Sequence, residues 1–484
     1  MKTLLLHAIL WISFFIVIFG PDTAFAQWET DRRLTFNDSI SFTSENNAWC
    51  VAANGDFVHV VWCDERDRRD IAEVYYKRST DGGTTWESDN RLTYDASISY
   101  PYHIAIAASG PNVHVVWSDS RDGGYPNSEI YYKRSTDNGV SWTSDIRLTN
   151  APYGSFSPCI STSGSSVHVV WTDDRDGNYE IYYKHSTDEG VTWEGDQRLT
   201  NSAVLSMGPS IGVFGANVHV VWYEYQSIEE IFYKRSTDNG LSWFPDTCLT
   251  NDPAWSEFPS ISVSGPVIHI AWSDTRAGCY EIYYKRSTNG GGTWTSDRRI
   301  TFLPSDSYFP SLCTSGTLVH LTWIDQRDGP MNDEVYYTRS TDGGLNWNPD
   351  TRLTWDSCSS RNASIAASGS AVHVVWSDNL DSRYSNWEIY YKRNPTGNLG
   401  VEQETPSRFF HLPRNHSLTV FPNPFYSFAT IPGHEKESFA LYDITGRQVR
   451  ICSGDRIGKD LSPGVYFVSS QGHKYSPLQI IKLK

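Results

Sequence analysis

The sequence is poor in the features of a helical protein. It contains only 3 Met, whereas 35 Gly and 23 Pro are spread over its 484 residues. Gly and Pro weaken helix interiors, and no segment has the length and periodicity of a helix. Aromatic residues make up 14% of the chain, which argues against disorder because disordered chains lack the apolar surface that offsets ordering entropy. The composition therefore predicts a large all-β protein.

Positive charge is also scarce. The formal net charge is -16, whereas nucleic-acid binding draws most of its affinity from a basic face. Nucleic acid is therefore not an expected partner. The eight Cys form no CxxC pair, so neither a metal cluster nor a redox site is expected. No cofactor is expected. Most of these Cys replace small or apolar residues and are expected to be buried thiols, while Cys50 and Cys63, which flank one turn, best suit a disulfide.

A long apolar run occurs once, at the start of the chain. Lys2 precedes a mostly apolar run from Leu4 to Phe19, and Ala24-Phe25-Ala26 forms a small-x-small cleavage site. This pattern predicts a signal peptide over 1–26. The alternative is an uncleaved anchor, but the run has about 16 residues where a spanning helix needs about 20. The signal peptide predicts export from the cytoplasm. No later stretch could span a bilayer, so no transmembrane segment is expected in the mature chain.

Internal repetition predicts the fold. The pattern Val-His-Val-Val-Trp, which ends at Trp62, and its close variants occur in seven copies with a period of about 52 residues. Each copy is followed by Glu-(Ile/Val)-aromatic-Tyr, by a polar turn and, in most units, by Arg-Leu-Thr. Each unit thus holds four short β segments, here called A to D, which is typical of a β-propeller blade. We expect seven blades over residues 27–393.

The chain ends of this region complement each other. The seventh unit stops after its C segment at Tyr391-Lys-Arg393, whereas Trp28-Glu-Thr-Asp-Arg-Arg-Leu-Thr35 matches the D segment that follows Trp86. We therefore expect the N-terminal strand to complete the last blade and to close the ring without an open seam.

Six turns follow the pattern Ser-x-(Asp/Asn)-x-Gly-x-x-Trp. The Asp carboxylate can accept backbone N–H bonds within such a turn, Gly permits positive φ, and Trp can cover the turn. The acidic or amide positions are Asp81, Asp137, Asp188, Asp238, Asn289 and Asp342. A structural role is expected for them.

These turns resemble the Asp boxes of the sialidase-like (BNR-repeat) propellers over roughly residues 28–393. The resemblance implies that the boxes lie on the face away from an active site, and that they specify fold more than chemistry. For an enzyme it also implies a Tyr nucleophile with a Glu partner, an Asp acid/base and three Arg for a carboxylate. The early Arg-Ile-Pro motif is absent here, and no arginine triad can be assigned. Enzymatic activity therefore stays open.

The fourth repeat departs from the others. Tyr223-Glu-Tyr-Gln226 stands where most blades have Asp-x-Arg-Asp. Glu224 and Tyr225 are therefore candidate catalytic residues, although neighbours on a strand point to opposite sides. Drift of one repeat is the alternative.

Two recurring side chains have a structural and a functional interpretation. Arg121, Arg175 and Arg327 follow Asp in most blades, and they either pair with Asp to tie loops or form a ring of anion or sugar sites. The His of each B segment is expected to be packed and hydrogen-bonded, because a single His per blade provides no metal cluster.

The D–A and B–C loops share one face and are the longest and most varied. Varied loops on a rigid scaffold commonly carry function. Candidate ligand-binding aromatics on these loops are Trp255, Tyr308, Trp355 and Trp387. Aromatic faces stack on sugar rings, and the alternative is that they only cover the blade core.

The C-terminal region is a separate domain. Residues 394–417 have the composition of a linker. Five ordered segments follow between Phe421-Pro-Asn-Pro-Phe425 and Ile481-Lys-Leu-Lys484, and residues 418–484 resemble a type IX secretion C-terminal sorting domain. The resemblance implies that the type IX machinery is a partner in export through the periplasm to the outside or the cell surface. The alternative is a small carbohydrate-binding β-sandwich.

The expected function is that of a secreted or cell-surface propeller that binds glycans or other extracellular ligands, including proteins, without catalysis. The alternatives are an exo-sialidase-type glycoside hydrolase and a structural or adhesive surface protein.

Overall fold

The computed structural model divides the chain into two units, 1–402 and 403–484. In the first it describes residues 28–44, 50–67, 72–94, 103–122, 127–225, 228–329, 332–355, 358–380 and 386–397. In the second it describes 438–443, 447–453, 457, 461–470 and 478–482. The predicted signal peptide, most of the predicted linker and residues 418–437 lie outside these ranges.

The first unit consists of seven antiparallel sheets in which strands A to D follow one another. Strands A are Val51–Asn54 (preceded by Ser41–Phe42), Ile104–Ser109, Ser155–Ser163, Leu205–Phe214, Ser256–Ser264, Ser307–Ser315 and Ser360–Ser368. Strands B are Phe57–Asp64, Asn112–Asp119, Ser166–Asp173, Asn217–Tyr225, Val267–Asp274, Leu318–Asp325 and Ala371–Asp378. Strands C are Glu73–Ser79, Glu129–Ser135, Glu180–Ser186, Glu229–Ser236, Glu281–Ser287, Glu334–Ser340 and Glu388–Asn394.

Strands D are short. They are Asn90–Arg91, Ile146–Arg147, Gln197–Arg198, Thr247–Cys248, Arg298–Arg299, Thr351–Arg352 and, in the seventh sheet, Arg32–Arg33. The described residues contain no helix, which confirms the predicted all-β class.

Strand B forms the buried centre of each blade. Its repeated Trp, such as Trp62 and Trp117, is fully buried, and the Val residues around it are buried on both faces of the sheet. A strand covered on both faces reads as a continuous apolar run. This explains why the Val-His-Val-Val-Trp pattern is the strongest signal in the sequence.

The sheets pack face to face in a closed ring. Each strand A contacts strand A of the next blade, and Ser360–Ser368 of blade 7 contacts Val51–Asn54 of blade 1. A cavity of about 220 Å³ lies between the seven inner strands. Small residues such as Ala52, Ala107 and Gly212 line it, together with a few hydroxyls and no charged side chain. This lining favours a structural role for the described axial channel over a ligand-binding role.

The N-terminal strand completes the seventh blade. Arg32 pairs with Tyr391 and Arg33 with Tyr390 in antiparallel register. The backbone N–H of Leu34 donates to the carbonyl of Ile389 at 2.7 Å. The ring is thus closed by pairing strands from opposite ends of the propeller sequence, as the repeat pattern predicts.

Strand A contains a bulge near the D–A loop in blades 3 to 7. One residue of each bulge has a left-handed backbone: Ser157, Gly208, Phe258, Phe309 and Asn362. A bulge redirects the side chains beside it. The bulges lie beside the first residues of strand A, at the end of the ring that carries the varied loops.

The second unit contains a four-stranded antiparallel sheet. Its strands are Ser438–Asp443, Gln448–Ser453, Gly464–Ser470 and Leu478–Lys482, with Ser438–Asp443 and Gly464–Ser470 in the middle. The β character agrees with the segments seen in the sequence. Its role as a sorting domain stays a prediction.

Two further observations concern membrane-spanning helices and the pair Cys50 and Cys63. Within the described ranges, no helix is long and apolar enough to cross a membrane. Cys50 and Cys63 are both buried but form no disulfide. Burial raises the pKa of the Cys50 thiol to about 12, so the two residues behave as core side chains.

Candidate functional site

The Asp-box end of the ring is built for cohesion. Asp137 accepts the backbone N–H of Ser141 at 2.9 Å, and the Ser135 hydroxyl donates to Asp137 at 2.7 Å. The hydrogen bond from the Ser141 hydroxyl, together with these two, lowers the pKa of Asp137 to about 2. Trp142 of the same turn packs edge-on against Tyr76 of the preceding blade at 4.9 Å. The corresponding boxes at Asp81, Asp188, Asp238, Asn289 and Asp342 form the same bond to a backbone N–H.

The strand-B histidines are part of the same joints. Nδ1 of His114 lies 2.7 Å from the hydroxyl of Tyr132. Burial lowers the pKa of His114 to about 3, so the ring is neutral. The other six strand-B histidines each pair with a Tyr in the same way. In the described part of the chain, no group of three His, Cys, Asp or Glu is arranged to hold a metal ion.

The recurring arginines lie between two carboxylates. Arg175 contacts Asp173 at 2.6 Å and Asp196 at 2.7 Å, and so ties the B–C loop to the approach to strand D within one blade. Arg121 and Arg327 make the equivalent pairs. This geometry favours the structural interpretation of the arginines. Ligand binding by them stays a prediction.

Glu224 takes the place that Asp occupies in the other blades. Nε1 of Trp222 donates to Glu224 at 3.4 Å, just as Trp171 donates to Asp173 at 2.7 Å. Tyr225, about half exposed, makes no hydrogen bond with Glu224 among the described residues. Their arrangement therefore favours repeat drift over a nucleophile pair, and a catalytic role for the two stays a prediction.

The non-repeated polar side chains gather at the opposite end, which carries the B–C and D–A loops. One group, here called the Arg361 group, joins blades 6 and 7. Asp333 is fully buried and accepts hydrogen bonds from Tyr308 at 2.8 Å, from Gln326 at 2.8 Å and from Nε of Arg361 at 2.6 Å. The hydrogen bonds from Tyr308 and Gln326 hold the buried carboxylate of Asp333. That carboxylate in turn fixes the Arg361 guanidinium by a charge-assisted hydrogen bond.

Arg361 remains open to solvent. Its side chain is 49% exposed, and among the described residues only its Nε is hydrogen-bonded. The guanidinium carbon lies 5.6 Å from the ring centre of Trp387. A fixed guanidinium edge beside an aromatic ring presents donors and an apolar face to a ligand.

A second group, here called the Glu257 group, lies in blades 4 and 5. The hydroxyl of Tyr280 donates to Glu257 at 3.1 Å. Burial raises the pKa of Glu257 despite that hydrogen bond, and the charge of Glu229 adds a smaller increase. Burial also raises the pKa of Glu229, and one of its carboxylate oxygens has no hydrogen-bond partner among the described residues. The group thus holds two carboxyls that resist ionisation beside a phenol.

A row of aromatic rings connects the two groups. The distance between ring centres is 5.7 Å from Tyr223 to Phe258 and 4.5 Å from Phe258 to Phe309. It is 5.0 Å from Phe309 to Tyr308. Phe258 and Phe309 have φ of 53° and 54°. A left-handed conformation costs a non-Gly residue about 1–2 kcal/mol, and such strain is concentrated at functional sites.

The structure brings together only two of the four aromatic residues that the sequence predicts to bind a ligand. Tyr308 and Trp387 meet in the Arg361 group. Trp255 is half-exposed at the start of strand A of blade 5, where its N–H bonds Thr275. Trp355 packs under Arg352 at strand D, at 4.7 Å.

Sequence reasoning missed five of the polar residues: Glu229, Glu257, Tyr280, Asp333 and Arg361. A signal for them existed in the repeat. The residue that follows the first Ser of strand A is Phe156, Met207, Glu257, Tyr308 and Arg361 in blades 3 to 7, so that two charged residues, Glu257 and Arg361, stand where the other blades have apolar or aromatic residues.

Comparisons with known proteins support the architecture. No family model matches the sequence, and none of the curated protein sequences matches it. Two solved structures of a PL25 ulvan lyase, one of them bound to -[GlcA(1-4)Rha3S]-, match with a TM-score of 0.51 and 11% identity over 74% of this chain and 95% of that chain. The polysaccharide lyase Uly1 matches with a TM-score of 0.52 and 10% identity over 76% of this chain and 100% of that chain. At these identities the likeness concerns the fold alone, and the chain is similar in fold to the β-propellers of polysaccharide lyases.

Proposed function

We propose that the propeller binds glycans at the end of the ring that carries the varied loops, with the Arg361 group as the centre of the site. The observation that carries this proposal is the held but exposed guanidinium of Arg361 beside Trp387. Sugar recognition combines an aromatic platform with a few well-placed polar groups. The likeness in fold to polysaccharide lyases supports a glycan as the ligand class.

Blade geometry explains why this site is unique within a repeated ring. Asp333 comes from blade 6 and Arg361 from blade 7, so the pair spans an inter-blade joint. Asp333 is the residue before the repeated Glu of strand C, and the other blades have Ala72, Ser128, Tyr179, Glu229, Tyr280 and Trp387 at that position. A single ligand-sized site, rather than seven equal ones, follows from this asymmetry.

A glycoside hydrolase of sialidase type is the second candidate function. The Tyr280–Glu257 hydrogen bond favours it, because a phenol beside a carboxyl group is the pair that such an enzyme would use for nucleophilic attack. In this reading the pair lies in the Glu257 group and not at Glu224 and Tyr225. A structural or adhesive surface role is the outcome if neither binding nor turnover is found.

Export and sorting are part of the proposal. Residues 1–26 would direct the chain to the periplasm, and residues 418–484 would engage the type IX secretion machinery. The propeller would then act outside the cell or at its surface.

A glycan array combined with a fluorogenic sialoside assay tests the proposed function on the chain from residue 27 to 484. We expect glycan binding that falls about tenfold or more in Arg361→Gln and in Trp387→Ala, since about 1.4 kcal/mol corresponds to a factor of ten. Leu241→Thr, at an exposed turn of the Asp-box end, is the matched control and should bind like the wild type. Unchanged binding in both site variants would contradict the site, and turnover abolished by Tyr280→Phe would establish the enzyme instead.

A further inference from the structure

Four large aromatic side chains stand exposed beside strand D of successive blades. They follow the Arg-(Leu/Ile)-Thr segment and are Phe302 of blade 5, Trp355 of blade 6, Phe36 of blade 7 and Tyr94 of blade 1. Their exposed fractions are 69%, 62%, 74% and 73%. Because blades 7 and 1 pack together, these rim aromatics form one uninterrupted arc. Folded chains seldom expose apolar side chains in such a series.

Each rim aromatic is held under an arginine. The guanidinium of Arg352 lies 4.7 Å from the ring centre of Trp355. Nε of Arg352 donates to the Thr354 carbonyl at 2.6 Å, and its amino groups pair with Glu334 and Asp328 at 2.6 and 2.8 Å. The equivalent cation–π contacts at Phe36, Tyr94 and Phe302 span 4.8–5.1 Å. One face of each ring is therefore fixed while the other remains exposed.

The scaffold does not need these rings. In blades 2 and 3, Arg147 and Arg198 bond the same Thr carbonyl and Glu partners. There the following residue is exposed Asn150 or Asn201 instead of an aromatic. The arginines make the same bonds whether or not an aromatic ring follows. The ring is therefore not required to hold the arginine in place.

The charges around the rim aromatics argue against a polyanion as the partner. Arg91 beside Tyr94 is paired with Glu73 at 2.7 Å and with Asp67 at 3.0 Å, and each arginine of the arc has at least one carboxylate partner. With the net charge of -16, the arc has no surplus positive charge for a polyanion. The rings are also set one to a blade, whereas a protein interface needs a contiguous apolar core.

We propose that the rim aromatics form a second binding surface, separate from the Arg361 group, that holds an extended uncharged polysaccharide across blades 5, 6, 7 and 1. Each exposed ring would stack on one sugar unit, so that affinity grows with the number of platforms that one polymer reaches. This surface goes beyond the proposed function, since the arc shares no residue with the Arg361 group.

The test compares the wild-type chain, residues 27 to 484, with a variant that carries Phe36→Asn, Tyr94→Asn, Phe302→Asn and Trp355→Asn. Asn already occupies these positions in blades 2 and 3, so the fold should persist, and the thermal midpoint checks this. Binding is measured by affinity electrophoresis in hydroxyethyl cellulose, galactomannan and pullulan, and by calorimetry with trisaccharides. We expect at least one of the polymers to bind, with a loss of about tenfold for each single substitution, or about 1.4 kcal/mol, and of more than a hundredfold for all four.

Several outcomes separate this surface from the central site. Arg361→Gln should retain polymer binding, and Leu241→Thr should behave as wild type. The inference is overturned if the folded wild type binds none of the polymers, if the fourfold variant binds them like the wild type, or if a charged polysaccharide of equal length binds more tightly. Loss of binding in Arg361→Gln alone would also overturn it, while leaving the central site supported.

Discussion

The phenol hydroxyl of Tyr132 occupies the place where a Cβ on Gly190, in the next blade, would lie: the two would be 1.9 Å apart. The Tyr132 ring also packs edge-on against Trp193 at 4.9 Å. Gly190 and Trp193 belong to one Asp-box turn. The same close approach occurs at the Asp-box turn of each of blades 1 to 6. These turns are therefore shaped around strand C of the blade before them, and the motif is a joint between blades as well as a hairpin.

Gly190→Ala should destabilise this joint severely. The φ of Gly190 is 80°, which costs Ala about 1–2 kcal/mol, and the clash with Tyr132 adds to this, for a total of about 3 kcal/mol or more. Gly164→Ala is the control, since Gly164 has a φ of 60° but no atom within 4 Å of its Cβ position. Urea unfolding measures both. Equal losses in the two variants would contradict the joint.

Acid should destabilise the ring through the strand-B histidines. The ordinary pKa of His is near 6.5, and burial lowers the pKa to about 3 for His114 and to about 4 for His269. Between the lowered pKa of each folded histidine and the ordinary value of about 6.5, the unfolded chain binds a proton that the folded chain does not. Stability present above pH 6.5 is therefore lost as the pH falls toward 4.

His269→Gln isolates the contribution of one histidine. We expect the slope of unfolding free energy against pH, between pH 6 and 4.5, to fall by about 1.4 kcal/mol per pH unit, which is the value for one proton. Denaturant titrations at several pH values measure this slope. A slope that is identical in wild type and variant would show that the folded chain protonates His269 freely.

The Glu257 group should have the opposite pH dependence. Burial raises the pKa of both Glu257 and Glu229, so their contribution to stability is present below the ordinary Glu value of about 4.3 and is lost as the pH rises through the raised values. Glu229→Gln should therefore stabilise the chain at pH 8 and have little effect at pH 4. Thermal midpoints at the two values test this, with the exposed Glu194→Gln as control.

Removing residues 28–35 should open the ring. The deletion removes the strand that pairs Arg32 with Tyr391, the 2.7 Å ion pair between Asp31 and Lys392, and the packing of Trp28 on Tyr337 at 4.9 Å. We expect a large fall in the thermal midpoint and partial recovery on adding a peptide of residues 28–35. A truncated chain as stable as the full one would contradict closure by this strand.

The sequence predicted the fold well because each blade repeats the same burial problem. Trp62, Tyr76 and their equivalents recur at fixed spacing, and even the closing strand was visible as a displaced copy of strand D. The site was harder to predict. Asp333 and Arg361 belong to different blades and meet only through inter-blade packing, and a single Glu or Arg in strand A is visible in the sequence only as a departure from the repeat.

Trp355 shows a subtler limit. In the sequence it stands among aromatics outside the repeat, beside Trp255 and Trp387. In the structure it shares its position with Phe36, Tyr94 and Phe302, each of which lies under an arginine. The residue at this position is Phe, Trp or Tyr, whereas its contact with the arginine is the same in each blade. A comparison of the repeats by residue type alone therefore does not group these four aromatics.

The closing strand also sets an order of events during folding. Blades 1 to 6 join segments that are near one another in sequence, whereas Arg33 must find Tyr390 across more than 350 residues. Closing so long a loop has a large entropic cost, and contacts between distant segments form slowly. On a growing chain, six blades can assemble while the first strand waits unpaired, so that completion of the ring is the last and slowest step of its assembly.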